Sequence, residues 1–189
     1  MAGGCDALQA EAETLERVEA QAEAAVVDFA GRRLRHMPGA LHWRPAPHGD
    51  GVVAHLAHHG VLQDLMGLDL HTRGTAAGEG VVIHVSAAED GSSRFFHEAR
   101  RRFSGQYVHD LEIHRRVTGE TTADDLKLPV PYDGWISCPA GAHERPGTLC
   151  YAEVRREGLN HRFAVPADAM QHWRAHVDGY FGLFDRLSG

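Results

Sequence analysis

Apolar residues recur along the chain at two spacings, one typical of helices and one typical of strands. Between residues 6 and 36 they return every three, four or seven positions, which aligns them on one side of a helix. Asp6 is suited to cap this helix, and Pro38 followed by Gly39 is suited to stop it. The pattern predicts a long N-terminal helix within residues 1–37, which either packs on its own domain or protrudes and dimerises.

The middle of the chain mixes the two spacings. Residues 52–66 and 93–103 carry apolar positions at a helical period, although Gly60 weakens the first of these helices. Residues 80–86 and 107–117 alternate between apolar and polar positions, so each is predicted to be a strand. Residues 118–134 are predicted to form a connection.

The last third has the most regular pattern. Residues 149–154 and 161–165 alternate around a turn at Gly158, which is typical of a β-hairpin. A helix is then predicted from Pro166 onward, with an apolar stripe formed by Met170, Trp173, Val177, Tyr180, Phe181, Phe184 and Leu187. Close packing is expected at Gly179 and Gly182, because glycine in a helix interior otherwise costs stability.

The order of these elements predicts an α+β fold. We expect a mainly antiparallel sheet flanked by the long N-terminal helix, a middle helix and the C-terminal amphipathic helix. The length of 189 residues suits a single domain spanning residues 1–189.

Composition narrows the classes of partner. The formal net charge is −7, which disfavours non-specific binding to nucleic acid or to an anionic membrane, since both need a basic surface. No apolar run approaches the roughly 18 residues of a membrane span, and the N-terminus lacks a signal core. We expect a cytoplasmic protein with a protein partner or a homodimer, without membrane association.

The cysteines and histidines of the C-terminal third suggest a metal site. Cys138, His143, Cys150 and His161 could give zinc two thiolates and two imidazoles, although their spacing is not that of a standard zinc ribbon or finger. The alternatives are two buried thiols beside exposed histidines, or a redox disulfide between the cysteines. Reduced thiols are the default expectation for a cytosolic chain.

The chain contains 15 histidines, and two pairs have the i, i+4 spacing of a helix. His55 and His59 would share one helical face and could bind one metal ion together. His172 and His176 are interpreted as a polar flank of the last helix.

Arg100, Arg101 and Arg102 are the local exception to the acidic balance. They form a candidate anion-binding group, although a run of charge is more often a solvated face.

Two resemblances suggest functions. The element order, the acidic balance and the strand–turn–strand–proline–helix ending make residues 80–187 similar to the type III secretion chaperone-like family that includes YbjN. That resemblance implies a protein-binding module, often dimeric, without catalytic residues. Residues 41–66 resemble the start of a DinB-type metal-dependent helix bundle, in which a Trp-Arg-Pro turn leads into a helix carrying a histidine.

The sequence therefore predicts a non-enzymatic, chaperone-like binding module with an optional structural zinc. The alternative is a histidine-rich enzyme or sensor that uses a divalent metal to activate water. No set of catalytic residues can be assigned.

Overall fold

The computed structural model describes residues 26–47, 51–69, 80–87, 101–118, 120–143 and 145–189. Within them the strands are β1 (Val26–Phe29), β2 (Arg32–Arg35), β3 (Trp43–Pro45), β4 (Gly51–Leu56), β5 (Val81–Ala87), β6 (Arg102–Val108), β7 (Leu111–Thr118), β8 (Thr121–Lys127), β9 (Asp133–Pro139), β10 (Leu149–Arg156) and β11 (Leu159–Pro166). The helices are α1 (His59–Met66), a 3₁₀ helix (Ala167–His172) and α2 (Trp173–Leu187).

Nine of the strands form one antiparallel sheet in the order β3-β4-β5-β11-β10-β9-β8-β7-β6, and β1 pairs with β2 separately. From β6 to β11, strands that are consecutive in the chain are neighbours in the sheet. Two of the turns are tight. His109 and Asp110 have φ of 46° and 67°, and Glu157 and Gly158 have φ of 52° and 75°, the left-handed values of a two-residue hairpin turn.

The two faces of the sheet differ in chemistry. One row of directly opposed residues, Phe163, Ala152, Ile136 and Leu126, is fully buried. The ring of Tyr180 from α2 stacks on Phe163 with centroids 3.9 Å apart, so this face carries the core. Each large apolar side chain buried there contributes about 1.5 to 3 kcal/mol. Because side chains alternate along a strand, the intervening residues line the opposite face.

The C-terminal elements confirm their sequence pattern. The hairpin of β10 and β11 is present, and the apolar stripe of α2 is buried against the sheet. The α-helix begins at Trp173 rather than Pro166, because a 3₁₀ helix occupies the first turns. A Cβ added to Gly179 would lie 3.3 Å from the Cβ of Met66 in α1, which explains why glycine stands there.

The predicted N-terminal and middle helices are wrong where the structure describes them. Residues 26–35 form the β1–β2 hairpin, because Ala30 and Gly31 adopt left-handed φ values of 51° and 77° that reverse the chain. Residues 1–25 lie outside the described residues. Arg102 and Phe103 of the predicted middle helix belong to β6, and residues 88–100 also lie outside. The fold is therefore a large antiparallel sheet with two α-helices in the described part of the chain.

Residues 52–66 are half strand and half helix. Val52, Ala54 and Leu56 alternate inward along β4, and α1 begins only at His59. Because β4 carries apolar residues on both faces, some of them match a helical spacing by coincidence. The spacing therefore suggested one helix across the whole segment. Gly67, with φ of 70°, then ends α1 in the left-handed conformation that glycine adopts without strain.

Candidate functional site

A group of charges surrounds Asp125 on the face of the sheet away from α2. Asp125 on β8 is fully buried and lies opposite Ser137 on β9. Its carboxylate accepts hydrogen bonds from Arg116 Nε at 2.8 Å and from Arg101 Nε at 2.6 Å. Arg116 also donates to Ser137 Oγ at 2.8 Å. With Glu153 on β10, we call these residues the Asp125 cluster.

Hydrogen bonding keeps Asp125 ionised despite its burial. Burial alone would raise the pKa of Asp125, but the hydrogen bonds from Arg116, Arg101 and Ser137 outweigh it and lower that pKa. Asp125 in turn raises the pKa of Arg116. The carboxylate is therefore a fixed negative charge held between two guanidinium groups.

Glu153 differs from Asp125 although it lies on the same face. The pKa of Glu153 is raised to about 7, chiefly by burial; the charge of Arg162 opposes this rise, and the charge of Asp125 adds to it. Its Oε1 is 3.7 Å from Arg162 Nε, which is too long for a hydrogen bond. A carboxyl group that changes its charge near neutral pH is able to transfer protons in that range.

Aromatic rings connect the Asp125 cluster to the edge of the sheet. The guanidinium of Arg101 lies 4.5 Å from the ring centre of Trp135, a cation–π contact. His114 packs edge-on against Trp135 with centroids 5.0 Å apart, and Phe103 packs against His114 at 5.4 Å. Phe103 also contacts Tyr107, which is 63% exposed. The chain of rings thus runs from a buried charged centre to an exposed strand.

The exposed strand is β6, the last strand of the sheet. Among the described strands it pairs only with β7, and six of its seven residues are exposed. A register shift between Phe103 and Tyr107 forms a bulge, and Gly105 has φ of 79° there. Phe103 is 49% exposed and Val117 on β7 is 59% exposed.

A concave region, separate from the Asp125 cluster, lies between α2 and β10. It has a volume of about 520 Å³ and is lined by Tyr132, Arg156, Asp178, Phe181 and Asp185, among others. Its polar groups already bind each other, because Tyr132 donates to Asp178 at 2.7 Å and Arg156 donates to Asp185 at 3.0 Å. This groove is therefore the weaker candidate for a ligand site.

The structure brings two of the four predicted zinc ligands together, but as a disulfide. Cys138 on β9 and Cys150 on β10 are bonded to each other, with Cα atoms 4.5 Å apart. The expectation of two reduced thiols is therefore not what the structure shows. A disulfide lacks the thiolates that zinc needs, so the zinc prediction applies only to the reduced chain.

The two histidines of that set lie apart from each other. His143 Nδ1 is 3.5 Å from the buried carboxylate of Asp124. His161 is buried on the core face, where its Nδ1 hydrogen-bonds the hydroxyl of Tyr180 at 3.0 Å. Burial, followed by the charges of Arg156 and Arg32, lowers the pKa of His161 to about 3. Within the described ranges, no three His, Cys, Asp or Glu side chains are grouped to hold a metal ion.

The predicted pairing of His55 with His59 is not on a helix. His55 is exposed on β4, whereas His59 is buried at the start of α1. His59 instead faces His176 of α2, with ring centroids 5.8 Å apart and planes at 29°. Burial, and for His59 also the charge of His176, lowers the pKa of each ring to about 4. The residue interpreted as a polar flank is thus fully buried.

The arginine run is divided by the structure. Arg101 is used by the Asp125 cluster, Arg102 is exposed on β6, and Arg100 lies outside the described residues. Anion binding by the three together remains a prediction.

Sequence reasoning missed Asp125, Arg116 and Glu153. Residues 118–134 were expected to form a connection, whereas the structure has β8 there, in which two adjacent aspartates are unfavourable by propensity. One signal was available. The Gly-Glu pair at positions 119–120 of the sequence separates two runs whose pairing as a hairpin would bring Arg116 near Asp125.

Comparison with known proteins found no matching family, no matching characterised protein and no matching solved structure. The resemblances to the type III secretion chaperone-like family and to DinB proteins therefore stay as predictions. None of the described helices is long and apolar enough to cross a membrane.

Proposed function

We propose that this protein is a non-enzymatic binding module that takes up an extended, acidic segment of a partner protein along β6. The observation that carries the proposal is the exposed edge of the sheet, where aromatic side chains and guanidinium groups stand together. Strand addition to such an edge is a common mode of peptide recognition.

The backbone of β6 offers hydrogen bonds in the direction of solvent. Because the turn at His109 and Asp110 has two residues, Val108 and Leu111 form the hydrogen-bonded closing pair. In the next pair, Tyr107 and Glu112, the backbone N–H and C=O groups of each residue point away from the other residue. The N–H of Tyr107 is therefore available to an added strand.

Exposed rings beside this edge supply apolar contact area. Phe103 and Tyr107 are exposed on β6 and Val117 on β7, although the tyrosine and phenylalanine rings shield each other in part. Aromatic residues are enriched where proteins bind each other, because each buries a large area with few rotatable bonds.

The positive charge of the β6–β7 hairpin favours an acidic partner over a second copy of the chain. Residues 101–118 contain four arginines and two acidic residues, a net charge of +2 with histidines neutral, whereas the whole chain carries −7. Two copies of this hairpin would place like charges together, which is destabilising. An acidic strand would instead meet Arg102, which is exposed on β6, and Arg115 of β7, which is exposed beside its 3.3 Å contact with Asp124.

Fluorescence polarisation with two labelled peptides tests the proposal. One probe has about eight residues of alternating Glu and Val, and the other has Lys in place of Glu. We expect binding of the acidic probe alone. Tyr107→Pro removes both the outward N–H and the ring, so it should weaken binding about tenfold, and Tyr107→Ala should weaken it less. Val130→Ala, which changes a residue 92% exposed outside β6, is the matched control.

Three results would refute the proposal. The first is equal binding of the acidic and the basic peptide. The second is unchanged peptide binding by a Tyr107→Pro variant that circular dichroism shows to be folded. The third is that the protein binds oligothymidylate and does not bind the acidic peptide. A dimer in sedimentation that Tyr107→Pro converts to monomer would also count against it, because a second copy would then occupy the edge.

A further inference from the structure

We propose that His59 and His176 together hold one monovalent copper ion between α1 and α2. The two rings are 2% and 0% exposed, and none of their four nitrogens has a partner in hydrogen-bond geometry. Buried polar atoms without partners are uncommon in folded proteins, and they often mark a place where an ion binds. The site is separate from β6 and from the Asp125 cluster.

The surroundings of each ring leave one nitrogen free for a ligand bond. The backbone carbonyls of Ala164 and His172 lie close enough to His59 and His176, respectively, to favour a ring N–H there, although neither contact has hydrogen-bond geometry. Metal-binding histidines usually direct their second nitrogen to such a carbonyl, which fixes the tautomer. The remaining nitrogen of each ring then carries a lone pair that no described donor reaches.

The distance between the rings suits one shared ion. With metal–nitrogen bonds of about 2 Å and about 1.1 Å from nitrogen to ring centre, two imidazoles on one ion have centroids about 5 Å apart at a tetrahedral angle and about 6 Å apart when linear. The observed separation is 5.8 Å, close to the linear limit.

Charge and ligand number favour copper in its +1 state. No carboxylate or thiol joins the two histidines in a group of three among the described residues, so the site offers only neutral nitrogen ligands. The cost of burying an ion rises with the square of its charge, which disfavours a divalent ion in this environment. Monovalent copper accepts two imidazoles in a linear arrangement, and imidazole is a suitable ligand for copper.

The test is a copper competition assay with the colourless protein, ascorbate and the chromophoric chelator bicinchoninate. We expect the wild-type chain to remove about one equivalent of Cu(I) from the chelator. His59→Leu and His176→Leu should each lose that equivalent. His55→Gln, which changes an exposed histidine, should keep it.

If both leucine variants fold and still take up one equivalent of Cu(I), the proposal is overturned. The absence of Cu(I) uptake by the wild-type chain would also overturn it. If either leucine variant fails to fold, X-ray absorption of the copper-loaded wild type decides the question. Two nitrogen neighbours in a linear geometry support the site, whereas sulfur neighbours or a larger nitrogen shell contradict it.

Discussion

Breaking the Cys138–Cys150 disulfide should destabilise the protein by an amount set by the loop that it closes. The two cysteines are 12 residues apart in sequence and lie side by side on β9 and β10. Cross-linking a loop of that length removes conformational entropy from the unfolded chain worth about 3 kcal/mol at 25 °C.

Urea unfolding followed by tryptophan fluorescence measures the effect. With a slope of about 2 kcal/mol per molar urea, a loss of about 3 kcal/mol lowers the unfolding midpoint by about 1.5 M. We expect the same shift from a phosphine reductant and from the Cys138→Ala, Cys150→Ala double variant. Cys5→Ala is the control and should unfold like the wild type when no reductant is present.

Equal midpoints for the oxidised and reduced chain would refute this reasoning. Thiol titration in denaturant gives an independent check, because the untreated chain should show one free thiol of its three cysteines. The same samples test the zinc prediction. Zinc that restores the midpoint of the reduced chain would support thiolate ligation, and zinc without effect would count against it.

Three further predictions concern single residues. Asp125→Asn should cost about 3 kcal/mol in urea unfolding, because two guanidinium groups lose their buried counter-charge, while the exposed Asp133→Asn should change little. Glu153 has a pKa of about 7 when folded and 4.5 as its ordinary value, so the folded state keeps a proton that the unfolded chain has lost between those values. The contribution of Glu153 to stability should therefore fall by about 2.5 kcal/mol from pH 5 to pH 8, against the opposite contributions of the buried histidines, and the Glu153→Gln variant should lack it; an unchanged pH dependence in that variant would contradict the assignment. Gly182→Ala should stabilise α2 by about 1 kcal/mol, whereas Gly179→Ala should gain less because its Cβ would crowd Met66; equal gains in thermal unfolding would show that this packing is not limiting.

The sequence predicted the C-terminal elements well because their patterns were determined by burial on one side. The stripe from Met170 to Leu187 has a single helical interpretation, and the residues of β10 and β11 alternate around a glycine turn. Residues 26–36 were harder, since Val26, Val27 and Leu34 satisfy a helical spacing as well as a strand. Only the turn at Ala30 and Gly31 decides between them, and Ala30 gives no local sign of its left-handed backbone.

The candidate sites depend on contacts between distant segments, which the sequence does not display. Asp125 and Glu153 come together through β9, and His59 meets His176 across a separation of more than one hundred positions. The expected helical placement of His55 beside His59 was wrong for the same reason: His55 lies on a strand, and His59 finds its neighbour on another helix. For Cys138 and Cys150 the sequence left buried thiols, zinc ligands and a disulfide open, and only the structure shows that they form a disulfide.

The order of strands in the sheet also bears on how the chain folds. From β6 to β11 each pairing joins segments that are neighbours in the chain, so these hairpins close short loops at small entropic cost. The junction of β5 with β11 is different, because Val85 pairs with His161 across 76 positions. We therefore expect the sheet to form in two stages. The strands from β6 to β11 pair locally, and β3, β4 and β5 then add to the free edge of β11 in one long-range step. A slow folding phase would be expected at that step, and substitutions along β5 should affect its rate more than substitutions along β8.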